Sequence, residues 1–418
     1  MKLGEIGNPD AARFGKPLDG VRVLAAEQMQ ALPFGTQLLA RLGADVVKVE
    51  HPVEGESGRG ALPAMTDPAG RRVGATFLRN NLNKRSVGID LKNPEGKALF
   101  LSLCPHYDIV CENFKAGTMK RLGLGYDDVA KVAPRAIYLS ISGFGHGPTP
   151  YDGWPAYAPV AEAMSGIYEY KREPGQPPVA APAGALGDIG TAMFGVIGVL
   201  AALRHRDHTG EGGQVGGQHV DIAMLDAMVS MTDLVTNFYS MTQRTDAKAN
   251  LIMDGFLASD GYFIVQVGRE HQFERLAQIV NRPEWLTDER LSTRAGWVEH
   301  LDDTIRPAIE QWAADKTKVD ASIAMSDAGI AAGPCFSAPE VIASEHVAAH
   351  HMLVEMERTD DVKEPVLIPG NPVKMSKVAE GPETRVPWVG EHTDAVLRDD
   401  LGLSDDELVR LRREGVIT

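Results

Sequence analysis

Apolar residues recur along this chain in two alternating rhythms. Residues 21–24 read as a short buried strand, 33–42 repeat their apolar positions at helical spacing, and 45–49 read as a second strand. Gly43, with no Cβ, suits the left-handed residue that ends such a helix. The unit then repeats. A strand over 86–91 is followed by a helix over 94–103 with Pro94 in its first turn, a strand over 108–110, and a strand over 136–141 closed by the turn-rich Gly143-Phe144-Gly145-His146-Gly147-Pro148. Strand and helix in short succession predict an α/β fold with a parallel, doubly wound, Rossmann-like sheet covered by helices on both faces.

The second half changes character. Residues 151–182 are rich in Pro, Gly and Ala and predict loop, with one helix near 160–168. The longest apolar run, 191–203, is interrupted by Gly195 and Gly198 and predicts a buried helix, being shorter than the roughly 20 residues that span a bilayer. A polar, glycine-rich turn at 204–213 leads to a helical pattern over 221–241, and the glycine-rich stretch reaches residue 218. Beyond 251, an alternating strand at 261–267 and helices at 270–280 and 302–314 predict a smaller α+β domain. Short strands follow 339, then helices over 393–399 and 405–413. The expected organisation is residues 1–225 as the first part of the large domain, 226–335 as linker and small domain, and 336–418 returning to the large domain.

Composition narrows the function. The 418 residues carry 42 Lys and Arg against 57 Asp and Glu, a net charge of −15. That surplus argues against nucleic acid or an anionic membrane as a partner, while leaving room for a local basic pocket. Three cysteines, Cys104, Cys111 and Cys335, are too few for a disulfide framework and suit a reducing cytosol. The opening residues have no apolar stretch of the kind that a signal peptide requires, so a cytoplasmic protein is expected.

Candidate chemistry begins with an exclusion. Glu50 closes the second strand where a dinucleotide-binding fold places its ribose-binding acid, but the loop from Ala25 to Pro33 has no glycine. A Rossmann phosphate turn needs glycines so that backbone N–H groups can approach the pyrophosphate. Gly187-Asp188-Ile189-Gly190, just before the apolar helix, admits two readings. Asp188 suits an N-cap that accepts hydrogen bonds from the helix's first N–H groups. Equally, a carboxylate there, flanked by glycines that leave room for a ligand, stays ionised and can act as a nucleophile. His346, His350 and His351 lack an accompanying carboxylate pattern, and no metal is expected. Trp154, Tyr168 and Tyr170 suit either a pocket wall or packing.

Six blocks in chain order carry a resemblance. They are 18–24 with Gln30-Ala31, then 42–50, Asn83-Lys84-Arg85-Ser86, Glu112-Asn113-Phe114, Gly187-Asp188-Ile189-Gly190-Thr191, and Gly390-Glu391-His392-Thr393. From about residue 16 to the C-terminus the chain resembles the family III CoA-transferases, the CaiB/BaiF group that includes formyl-CoA transferase. The resemblance implies reversible transfer of CoA from an acyl-CoA to a small carboxylic acid. Asp188 would be the nucleophile, passing through a mixed anhydride and an aspartyl-CoA thioester. It also implies an interlocked homodimer, CoA as a substrate with no permanently bound cofactor, and no metal.

Site residues carry over position by position. Gln30 and Ala31 match the loop where the pantetheine end and the reacting carboxyl lie. Ile89 and Lys92 match positions at the adenine and ribose-phosphate end, Asn113 and Phe114 a loop along the same ligand, and Arg121 a basic position near the phosphates. His51 stands where relatives often carry arginine, which weakens a phosphate contact because histidine is mostly neutral at pH 7. Gly187 and Gly190 frame the substrate, and the N–H groups of 187–190 are candidate oxyanion donors. Tyr157 matches a tyrosine near the acyl group. The related 2-methylacyl-CoA racemases have a histidine there, and a tyrosine, with an ordinary pKa of about 10, is a poor base. Transfer is therefore favoured over racemisation, with a racemase or a non-catalytic CoA-binding protein as alternatives. Three departures set the chain apart from formyl-CoA transferases: Ala158 replaces a glutamate, Thr76 replaces a tyrosine, and no glycine-rich loop lies between Asn250 and Phe263.

Overall fold

Strand β1 (Arg22–Ala26) serves two cores at once. Val23 and Ala25 pack with Leu39, Val199 and Leu203, while Leu24 and Ala26 pack with Phe100, Val110 and Leu397. Successive side chains of a strand point to opposite faces, so a strand covered on both sides needs apolar residues at nearly every position. The computed structural model describes residues 1–171, 175–179, 184–209, 216–241 and 250–418. Residues 210–215 of the glycine-rich turn and the side chain of Tyr170 lie outside the described residues.

The chain folds as two compact units, Met1–Asn237 with His346–Thr418, and Phe238–Glu345. In the first, β1 joins β2 (Asp45–Glu50), β3 (Lys84–Gly88), β4 (Ile109–Glu112), β5 (Ile137–Ser142) and β6 (His219–Ala223). All are parallel, in the order β3-β2-β1-β4-β5-β6. Helices α1 (Ala31–Arg41) and α4 (Leu186–Thr209) supply residues to the core on one face; α2 (Pro94–Leu103) and the C-terminal helices supply residues to the other. Helices α3 (Ala158–Met164) and α5 (Met224–Met231) pack against α4 and against each other.

Two expectations are corrected. The apolar helix α4 is 24 residues long, and by length and composition its stretch Leu186–His208 suffices to cross a membrane. Only 44% of its most apolar window is buried, so it is not wholly a buried helix. Its inner residues Val199, Ala202 and Leu203 are nonetheless part of the sheet core. The helical pattern over 221–241 begins instead as strand β6, with only α5 as regular α-helix before Thr232 turns extended. Val220 and Ile222 alternate with His219 and Asp221, and pairing with β5 at the sheet edge overrides helical spacing.

The second unit holds an antiparallel sheet of β7 (Ile252–Ala258), β8 (Gly261–Val267) and β9 (Ala331–Pro334), with β8 central. Phe263, Val265 and Val267 of β8 face a core with Phe256, Phe273 and Trp297, and Tyr262 and Ile264 face outward.

Beneath the loop after β1 lies a buried ionic cluster. One oxygen of Glu27 sits 2.7 Å from Lys84 Nζ and 3.5 Å from Lys48 Nζ, and all three side chains are fully buried. The other oxygen accepts the Thr36 hydroxyl at 2.7 Å, and Lys84 also donates to Pro33 O and Asn81 Oδ1. Burial opposes the charge on Glu27, yet attraction to Lys84 and Lys48 wins and holds its carboxyl below the usual range. Burial lowers Lys84 to about 8, leaving it protonated at neutral pH. Glu27→Gln leaves two buried cations without their shared anion. It is expected to lower the unfolding free energy by about 3–5 kcal/mol, read from urea denaturation midpoints; an unchanged midpoint would contradict this account of the cluster.

Candidate active site

The strand order reverses at β1 and β4, and ligands of open α/β sheets bind beyond the C-terminal strand ends at such a point. The sequence closes this crevice with a reciprocal pair: Gln28 N–H donates to Asn113 Oδ1, and Asn113 Nδ2 donates to Gln28 O, both at 2.9 Å. Met29 takes a left-handed φ of 60° and donates its N–H to Glu56 at 2.8 Å. Glu56 Oε1 lies 3.6 Å from Lys48, so the loop is tied to the ionic cluster below it. Gln30 then precedes α1, and Ala31 is its first residue.

Asp188 enters from α4. It is the third residue of that helix rather than its N-cap; Ala185, with φ 61°, precedes the first turn. The buried carboxylate of Glu162 in α3 caps the turn instead, accepting Gly187 N–H at 2.9 Å and the Tyr168 hydroxyl at 2.6 Å. Among the described residues the Asp188 carboxylate accepts no hydrogen bond from protein. Burial, aided by the nearby Glu162 charge, pushes its pKa up to about 6.

These elements enclose a cavity of about 190 Å³ lined by Gln30, Ala31, Asn113, Phe114, Tyr157 and Asp188, among others. A larger cavity of about 900 Å³ adjoins it through Ala116, Gly145, Asp152 and Gly153 and carries Lys120 and Arg121.

The remaining expected residues lie elsewhere. The Ile89 side chain is buried in the core and its N–H bonds Glu50 O, which leaves that side chain no part in binding. Lys92 is exposed beyond β3, and the His51 ring accepts the N–H groups of Val53 and Glu54, capping its own turn. None of the three lines either cavity. The flanking glycines do not leave ligand space: a Cβ on Gly187 would stand 3.2 Å from Ala158 Cα, and one on Gly190 2.5 Å from Met231 Sδ. They permit close helix packing. Gly187 N–H, already given to Glu162, is not free to serve an oxyanion.

Other polar groups take no role from the sequence, Glu112 entering there only within the Glu112-Asn113-Phe114 block. Glu112, Ser140 and Asp221 are register neighbours on β4, β5 and β6 and form one row across the sheet. Burial raises Glu112 to about 7, and its Oε1 lies 3.8 Å from His146 Nε2. His146, His219 and Asp221 are the group among the described residues with atoms close enough to hold a metal ion, within 4.8 Å of one another. Each already has a protein partner: Asp221 lies 2.9 Å from His146 Nδ1, and His219 Nε2 lies 2.9 Å from Ser140 Oγ. The row becomes visible only with the strand register, although an acid closing an apolar strand, as Glu112 does, was a signal available in the sequence.

The family model of CoA-transferase family III matches residues 18–393, and the chain belongs to that family. It is a CoA-transferase. It is 32% identical to the succinyl-CoA–L-malate CoA-transferase beta subunit of Chloroflexus aurantiacus, over 96% of this chain and 98% of that one. It is 33% identical to the succinyl-CoA:mesaconate CoA-transferase of Haloarcula hispanica, over 92% and 96%. A solved CaiB/BaiF family protein from Brucella suis superposes with a TM-score of 0.79 at 30% identity, covering 92% of this chain and 99% of that one.

The proximity of Glu162 to Asp188 has a measurable sign. Carbodiimide labelling of Asp188 followed by mass spectrometry is expected to titrate near pH 6, and at lower pH in Glu162→Gln, which keeps an acceptor for Gly187 N–H but removes the charge. Equal midpoints would show that Glu162 acts on Asp188 through structure alone.

Proposed function

We propose that Asp188 is the nucleophile of CoA transfer. The observation that supports this reading is a half-buried carboxylate, without a protein hydrogen-bond donor among the described residues, facing the cavity at the topological switch point. With a pKa of about 6 it is mostly ionised at pH 7 and more basic than an ordinary aspartate, which favours attack on a thioester carbon.

The exchange runs in four displacements. An Asp188 oxygen attacks the donor thioester carbon, expelling CoA thiolate and forming a mixed anhydride. The thiolate attacks the Asp188 carbonyl carbon, releasing the donor acid and leaving an aspartyl-CoA thioester. The acceptor carboxylate then attacks that thioester, and the freed thiolate takes the new acyl group and restores Asp188. The thioester's energy is retained at each step, provided water is kept out. Oxyanion stabilisation falls to the N-terminus of α1, where the N–H of Ala31 has no helical partner and its residue lines the cavity.

Arg121 in the larger cavity supports a phosphate contact for CoA. His51, Ile89 and Lys92 are retained as nucleotide-end residues by resemblance alone, with Ile89 contributing backbone only. Gly187 and Gly190 shape the substrate site by letting the helices close around it. A homodimer is supported by outward apolar residues on α4 and α5, Met193, Ile197 and Val229. A cytoplasmic setting is supported by the three free thiols.

Incubation with an acyl-CoA and hydroxylamine should place a hydroxamate on Asp188, and Asp188→Asn should lose about a thousandfold or more in transfer rate; a fully active Asp188→Asn would end the nucleophile reading. Light scattering should return about twice the 45.1 kDa chain mass, and a monomer at micromolar concentration would exclude the dimer.

A further inference from the structure

The proposed chemistry leaves one wall of the Asp188 cavity unexplained. Phe144, Tyr151 and Trp154, from the segment between β5 and α3, pack on one another and all line the cavity. Ring centroids lie 5.0 Å apart for Phe144 and Tyr151 and 5.2 Å for Tyr151 and Trp154, with Phe144 and Trp154 nearly perpendicular at 6.4 Å. Trp154 remains 54% exposed and Tyr157 70% exposed. Large aromatic surfaces left uncovered beside a reactive carboxylate gain most when a ligand's own apolar body removes them from water.

Charge in the cavity points the same way. Among the described lining residues Lys115 is the one cationic side chain, and it is exposed at the rim, whereas Asp152 and Asp188 are both acidic. A dicarboxylic acid would present Asp188 with one carboxylate and bring a second into the same cavity. That second group needs a fixed cation or several donors to offset the loss of its hydration. Phe144, Tyr151 and Trp154 offer it rings instead.

We propose that one of the two acids exchanged by this enzyme carries an aryl or comparably bulky apolar body, seated on the Phe144, Tyr151 and Trp154 wall with its carboxylate toward Asp188. This rests on Asp188 being the site of exchange. It separates the chain from the two relatives above, whose names give malate and mesaconate, both diacids. Its logic is that of a hydrophobic pocket that selects by filling, while a charged substituent without a partner is rejected.

The test avoids any assumption about which acid is donor and which acceptor. Each labelled free acid is exchanged into its own CoA thioester by the full-length protein: 3-phenylpropanoate, succinate and acetate. The expected result is a kcat/KM for phenylpropanoate about tenfold or more above succinate, and a phenylpropanoate-to-acetate ratio that falls about tenfold in Trp154→Ala, mainly through KM. Faster exchange of succinate than phenylpropanoate overturns the proposal and leaves the Asp188 mechanism standing. An equal loss for all three acids in Trp154→Ala also overturns it, because the wall would then be serving the CoA chain they share. Absence of exchange with every acid, together with no hydroxamate on Asp188, removes the nucleophile reading and this proposal with it.

Discussion

A single carboxylate shared by two buried lysines underlies the architecture of the site. Glu27 follows β1, Lys48 lies on β2 and Lys84 on β3, so three neighbouring chain segments are held through one anion. Buried ions of this kind add little net stability compared with a well-packed apolar core, but removing one partner is severe. Their effect here is geometric. Lys48 also approaches Glu56, Glu56 accepts Met29 N–H, and Met29 is thereby kept in a left-handed conformation that starts α1 where Gln30 and Ala31 face the cavity.

The second acid to matter is Glu162. It serves at once as helix cap and as electrostatic neighbour: burial makes Asp188 reluctant to ionise, and the carboxylate that takes Gly187 N–H sits close enough to add to that effect. A neutral cap would fix the same turn and leave burial alone to raise the basicity of the residue one position on. A carboxyl whose pKa is raised on folding lowers stability at neutral pH, where it is ionised.

The parallel sheet was legible because both of its faces are covered, which forces apolar strands and helical spacing that a reader can count. Strand β6 was not, since an edge strand with His219 and Asp221 interleaved among apolar residues also fits a helix, and its pairing with β5 is a tertiary fact. The motif marks Asp188 as a candidate but does not show its environment: Glu162 lies 25 residues before Gly187 in an apolar helix and meets it only through folding. The bare glycines Gly187 and Gly190 suggest space for a ligand, whereas that space is filled by Ala158 and Met231. Local sequence indicates that a glycine is needed, and only packing says what approaches it.

The reciprocal amide pair between Gln28 and Asn113 has a consequence for how the cavity can vary. Because both groups of the Asn113 amide bond to the Gln28 backbone, the floor of the cavity is sewn across the two halves of the sheet and cannot be retailored without opening the seam. The segment carrying Phe144 through Trp154 contributes to no strand pairing of that floor. Substitutions at Phe144, Tyr151 or Trp154 would therefore reshape one wall of the cavity while leaving that seam closed.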